Sequence, residues 1–349
     1  MENVANKYNY ISYLRVFAML SVVLGHVATY GSSMMLEAYK FIYSYHMPLF
    51  VFISGFLFWN SYDINKSAKN LLLKKFKRLV IPAFAIAMII VLPTELFITK
   101  ITPMTSDGIG ARIISILSGD VAHLWFLLML FWVMLIFTPV TYFIKRYCTT
   151  KLKRAAIYTA ILVVCIYVFL YSNFMVWGVY SSNQVVRYMY YFYLGMIFSR
   201  YKELINNYIK QNRQVLFAIS LVLFLNCLVY LIQNFETYVG AWFITSHLSQ
   251  YLFLSTSFIF VFYFCAVSID NCITKTPNII NLLDVLSLKI YYVHIMVGEI
   301  AIKIMLHFAG ILRLTTFNEI VLSFVWMIVV SGYIAKWWRL IELHFQKSN

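Results

Sequence analysis

The chain has 349 residues, of which 62% are hydrophobic and only 12% charged, and its mean hydropathy is +0.78. That balance excludes a water-soluble domain and places the chain among polytopic membrane proteins. The net charge of +15 does not point to nucleic acid, because the basic residues stand in short blocks between apolar runs, where lipid headgroups and membrane orientation account for them.

Taken in order, the apolar runs predict about ten membrane-spanning helices. They cover residues 10–30, 41–59, 79–98, 122–144, 155–172, 184–198, 215–234, 250–269, 282–306 and 320–338. The first run is too long for the apolar stretch of a signal peptide and has no small-residue cleavage site after it, so it stays as the first span. The longest connector, 99–121, is too short to bury a core of its own. The expectation is therefore an all-α protein with one membrane domain over residues 1–349 and no soluble domain. Basic residues fill the connectors after spans two, four and six (Lys66, Lys69, Lys74, Lys75, Lys77 and Arg78; Lys145, Arg146, Lys151, Lys153 and Arg154; Arg200, Lys202, Lys210 and Arg213), while the alternate connectors are nearly bare. By the positive-inside rule the basic connectors face the cytoplasm, and so do both termini.

Span one carries Arg15 and His26, eleven residues apart. At about 100° and 1.5 Å per residue they share a helix face, about 16 Å apart along the axis. A cation at mid-bilayer costs at least about 2.5 kcal/mol, so it persists where it is paired, hydrated or used. This topology sets His26, His46 and His123, with His247 and His307, at outer boundaries, so that five of the seven histidines gather at one face and Arg15 lies nearer the other. His26 and His46 approach one short connector from opposite sides. Imidazole titrates near neutrality and can take a proton from a hydroxyl and return it to a leaving group; the structural alternatives are snorkelling for Arg15 and interfacial anchoring for His26 and the other outer histidines.

Pro48 in YSYHMPLFVFISGFLFW suits a first helical turn. Ser54 and Gly55 suit either close helix packing or a pocket. Lys74, Lys75, Lys77 and Arg78, in the basic connector ending KKFKRLVIPAF, suit membrane orientation or the phosphates of a nucleotide-like donor. Arg187 is a second buried-cation candidate, with snorkelling as its alternative. His294 and Glu299 lie inside span nine but are about 140° apart around it, so they do not form a dyad; His294 lines a groove or makes a structural hydrogen bond. The cysteines lack zinc-site spacing, no His motif reads as a metal site, and no metal is expected.

The blocks LRVFAMLSVVLGH, HMPLFVFISGFLF, KKFKRLVIPAF, HLWFLLMLFWV, RYMYYFYLGMIF and IYYVHIM, in this order, resemble the integral-membrane acyltransferase type 3 family over nearly the whole chain. The pattern of Arg15 and His26 and the block from His46 are the most specific elements. The resemblance implies a ten-helix core in the cytoplasmic membrane that takes an acyl group, commonly acetyl, from cytosolic acyl-CoA to a hydroxyl of a cell-surface or lipid-linked glycan. It casts Arg15 at the donor site and His26 as catalytic base, with His46 and His123 building the outer pocket along a path lined by Arg15, Met19, Val22 and His26. No extracytoplasmic transfer domain follows residue 349, so the stand-alone form, similar to capsule or exopolysaccharide O-acetyltransferases, is expected. A polysaccharide synthase or export machinery is a further expected partner. The competing reading is a transporter of a polysaccharide or its lipid-linked precursor, which the absence of an internal repeat does not favour.

Overall fold

The computed structural model describes residues 8–29, 33–95, 109–119, 121–172, 182–233, 248–273, 275–309 and 317–347. It is 92% helical, with no strand among the described residues. Nine helical stretches among them are long and apolar enough to cross a membrane. The helices are α1 (Asn9–Ala28), α2 (Ser33–Tyr43), α3 (His46–Ser61), α4 (Ala68–Ile86), α5 (Ile109–Leu117), α6 (Trp125–Tyr147), α7 (Lys151–Leu170), α8 (Ser182–Arg200), α9 (Lys202–Gln211), α10 (Arg213–Gln233), α11 (Leu248–Cys272), α12 (Asn278–Ala309) and α13 (Phe317–Lys347).

Spans one, seven and eight match α1, α10 and α11 to within three residues at either end. Span two is divided: α2 ends at Tyr43, residues 44 and 45 turn, and α3 starts at His46. Pro48, which has no N–H and whose ring crowds the carbonyl four residues earlier, stands in the first turn of α3, where it is best tolerated, whereas Pro82 and Pro139 are carried inside longer helices. Span six is α8, absent from the nine apolar stretches because Asn183, Gln184 and Arg187, with its tyrosines, lower its hydropathy, although Tyr188 and residues 190–196 are buried.

The basic run before span three is not a connector. It lies within α4, where Ser67 accepts a hydrogen bond from the backbone N–H of Asn70 and caps the helix start. Lys74, Lys75, Lys77 and Arg78 therefore stand on a helix, which continues through a π-helical turn at Ala87–Val91. Two further helices, α5 and α9, occupy stretches read as connectors. Arg112 of α5 holds Glu95 with two parallel bonds, Nε to Oε2 at 2.7 Å and Nη2 to Oε1 at 3.0 Å.

The described chain gathers into two compact units, one of residues 1–50 and 203–349 and the other of 51–202, with the boundary inside α3. In the first, α1 packs along α12 and α13 through a core of Met19, Val23 and Val27 against Leu286, Ile290, Ile302, Ile320 and Met327. An aromatic layer of Phe41, Tyr45, Phe224 and Phe258, mostly edge to face, joins α2, α10 and α11.

In the second unit α3 and α8 meet backbone to backbone. A side-chain carbon placed on Gly55 would collide with the Phe192 carbonyl, and one on Gly195 with the Phe52 carbonyl. Only paired glycines allow this approach, which brings Phe52 onto Phe198 and Phe58 onto Phe192. The end of α3 is held by Lys145, whose Nζ donates to the carbonyls of Trp59 (3.1 Å) and Tyr62 (2.7 Å), supplying a cation and donors where helical carbonyls run out of partners.

Gly195→Ala is expected to cost about 1–3 kcal/mol through forced separation of α3 and α8, read as a lower thermal unfolding midpoint in detergent, whereas Gly110→Ala, with open space around it, should leave the midpoint unchanged.

Candidate active site

Two polar rungs connect α1 and α12. At the first, Arg15 Nη1 lies 2.9 Å from Asp284 Oδ1, and Ser12 Oγ donates to Oδ2 over 2.9 Å. Ser12 and Arg15 are three residues apart, hence on one face, and each meets one carboxylate oxygen. The Asp284 side chain is 3% exposed and that of Arg15 19%. At the second rung the rings of His26 and His294 stand 5.2 Å apart, inclined by 55°. Both numbers rise from the first rung to the second, by eleven residues on α1 and ten on α12, so the helices run parallel and the rungs are about 15–16 Å apart.

Between the rungs the seam is apolar and filled. Met19 and Val23 of α1 meet Leu286 and Ile290 of α12, and Met19 and Val22 are both buried. On the expected path from Arg15 through Met19 and Val22 to His26, Met19 packs with the aliphatic side chains of α12 and Val22 is buried. Arg15 and His26 share a face as their spacing requires, and among the described residues Leu286 and Ile290 of α12 pack against the stretch between them.

His294 is fully buried. Its Nδ1 lies 2.8 Å from the Tyr291 carbonyl and 3.2 Å from that of Ile290, and its ring is 5.7 Å from the Tyr291 ring. Of the two readings of His294, the structural hydrogen bond is present. His46, also buried, has Nδ1 2.8 Å from the Ile42 carbonyl and its ring edge-on to Tyr43 at 4.6 Å. Tyr43 and Ile42 also border Gly25, where an added side-chain carbon would lie 3.2 Å from each. His46 is therefore joined to the turn carrying His26 through Ile42 and Tyr43.

The second unit holds the remaining candidates. His123 lies half-buried in a tight turn, Ala122–Leu124, whose Ala122 has a left-handed φ of 50°, a conformation that costs an alanine about 1 kcal/mol. Trp125 at the start of α6 touches Tyr188 of α8, ring centroids 5.8 Å apart, so His123 and Arg187 flank one aromatic contact. Ser54 is half-buried on α3 beside Gly55, whose close approach to α8 is the packing role read for that pair. Lys74, Lys77 and Arg78 are exposed on α4 and Lys75 is half-buried. His247 and the side chains of Glu299 and His307 lie outside the described residues. No group of three or more His, Cys, Asp or Glu that could hold a metal ion occurs among the described residues.

Sequence reasoning missed Asp284 and Ser12. The signal was there: Asp284 precedes His294 by ten residues, nearly repeating the interval from Arg15 to His26, and an aspartate inside an apolar span demands a partner. Chemically, the first rung is a fixed ion pair and the second is a place where a proton can be taken up and released.

Breaking the first rung strands a buried charge. Asp284→Ala should cost about 3–5 kcal/mol of stability, and Arg15→Met combined with Asp284→Leu should recover most of it, measured by thermal denaturation in detergent with a double-mutant cycle.

Residues 8–336 match the family model described as an acyltransferase domain, of acyltransferase type 3. No curated protein and no solved structure matches the chain.

Proposed function

Since the chain belongs to the acyltransferase type 3 family and is a membrane enzyme that transfers acyl groups, we propose that it moves an acetyl group from cytosolic acetyl-CoA to a hydroxyl of a cell-surface or lipid-linked glycan. The observation that carries the reading is the second rung, an imidazole pair at the end of α1 within a helical bundle that can cross a membrane. His26 is the base: its neutral ring takes the proton of the acceptor hydroxyl as that oxygen attacks the thioester carbonyl. When the carbon–sulfur bond breaks, the imidazolium returns the proton to the departing thiolate. The acyl group ends as an oxygen ester, and His26 is neutral again.

The basic loops orient the chain in the cytoplasmic membrane, with the Arg15 rung toward the cytosol, both termini inside and the His26 rung toward the outer face. Lys74, Lys75, Lys77 and Arg78 bind the phosphates of the donor; the reading is supported by four cations on five residues of a helix that carries no acidic residue. Arg15, neutralised by Asp284, serves the donor site as a cation of fixed position. His46, His123, Arg187, Ser54 and His294 belong to the acceptor side. With Met19 and Val23 packed on Leu286 and Ile290, the thioester reaches His26 by a route other than the contact of α1 with α12.

His26→Ala should lower acyl transfer at least about 100-fold. The check is mass spectrometry of surface glycans from a deletion strain complemented with parent or variant, at matched protein level; normal O-acylation with the variant would sink the assignment. Lys77→Gln with Arg78→Gln should raise KM for acetyl-CoA about tenfold and leave kcat unchanged, in a steady-state assay with purified protein.

A further inference from the structure

Where α10 and α11 lie side by side, a cleft of about 710 Å³ opens at the end that carries Arg213, within the size range of ligand sites, about 300–1,000 Å³. Two polar side chains in its lining have no partner among the described residues. Arg213 is exposed and makes no ion pair, and Ser268, only 8% exposed, has an Oγ without a hydrogen bond. A buried hydroxyl left unsatisfied is costly, so an acceptor brought by a ligand is favoured there. The two helices run antiparallel. Phe224 of α10 meets Phe258 of α11, and ten residues from that contact Gln214 and Ser268 stand at about one depth. Helical side chains lean toward the N-terminus of their own helix, so Arg213 leans out of this end of the pair and Ser268 leans inward, toward Phe217, Phe264 and Cys265. The cleft thus presents a cation at its mouth, a hydroxyl beneath it and apolar walls beneath that.

We infer that this cleft binds an anionic glycerophospholipid: the Arg213 guanidinium donates to the phosphate, Ser268 Oγ donates to an ester carbonyl, and an acyl chain lies against Phe217 and Phe264. The order of the groups selects this ligand. In a glycerophospholipid the ester carbonyl is a few bonds from the phosphate, which matches a hydroxyl just beneath a cation. In acyl-CoA the whole pantetheine arm separates phosphates from thioester, so the donor does not fit the same spacing. Protein covers only a small part of α10, and the cleft opens on the side where lipid would stand. The sign of the headgroup follows from the charges around it. No acidic residue is among those that line the cleft, and Asp270, the acid of this stretch of α11, is near Tyr10 of α1 instead. Lys210 and Lys275, both exposed, stand within three residues of Arg213 and Cys272 at the mouth and add positive potential. An ammonium headgroup finds no counter-charge in the lining, whereas a net negative one does.

Native mass spectrometry of the full-length protein in detergent, titrated with dioleoylphosphatidylglycerol or dioleoylphosphatidylcholine, tests the site without acyl donor or acceptor. The first phosphatidylglycerol should bind about tenfold more tightly than phosphatidylcholine, and excess inorganic phosphate should not displace it. Arg213→Gln, at an exposed position, should bring the two lipids to within about twofold of each other. Ser268→Ala should weaken both about threefold, since both carry the ester carbonyl. Arg146→Gln, which removes an exposed cation of α6, should leave both affinities as they are. Equal affinity of the parent for the two lipids, displacement by inorganic phosphate, unchanged binding in Ser268→Ala, or equal losses in Arg213→Gln and Arg146→Gln would overturn the inference.

Discussion

The pairing of α1 with α12 depends on one buried ion pair. Apolar side chains alone give two parallel helices several registers of similar energy, because a shift of one turn replaces one aliphatic contact with another. The contact of Arg15 with Asp284, reinforced by Ser12, makes the alternatives costly: a slip of one turn, about 5.4 Å, would leave a carboxylate and a guanidinium unmatched in an apolar seam. Fixing the register there also levels His26 with His294 farther along. The ion pair thus acts on the second rung without touching it, through the packed run of Met19, Val23, Leu286 and Ile290 that makes the two helices behave as one body.

The other unit is held by a different means. No charge sets the contact of α3 with α8; Gly55 and Gly195 do, by letting backbones touch where any side chain would intrude. Aromatic rings from both helices fill the space around that contact, and Phe137 of α6 stacks on Tyr193 and on Phe192. Lys145 secures the end of α3 with its ammonium lying 4.8 Å from the centre of the Trp59 ring, so one side chain caps a helix and covers an indole face.

Much of this was legible in the chain because a bilayer imposes simple demands on length and polarity. The long apolar runs became helices nearly where expected, and Pro48 falls in a first helical turn as its ring suits, although the turn that divides residues 41–59 was not foreseen. What hydropathy could not show were helices that are polar by composition. The first turns of α4 are rich in lysine and α9 is amphipathic, and a scale that counts apolar residues reads both as connectors although their backbones are fully helical. The site divided in the same way. Spacing alone put Arg15 and His26 on one face, a property of one helix. Whether that face is open or covered depends on a helix some 270 residues away, whose Leu286 and Ile290 pack against Met19 and Val23. His294 was visible as an intramembrane imidazole, but the carbonyls it meets and its neighbour could come only from the fold.

The two helices of the site are unequal in length. Beyond His26, α1 has two more residues and stops at Ala28; beyond His294, α12 runs fifteen residues further to Ala309, about 22 Å of helix. The imidazole pair therefore lies close to the end of the short helix, with the long one continuing beside it. A sugar approaching the proposed base would meet the continuation of α12 on one side, so the hydroxyls that reach His26 would be those that project without carrying the rest of the polymer into that helix. Positional choice along a glycan would then be a matter of clearance, set by how far one helix outlasts its neighbour.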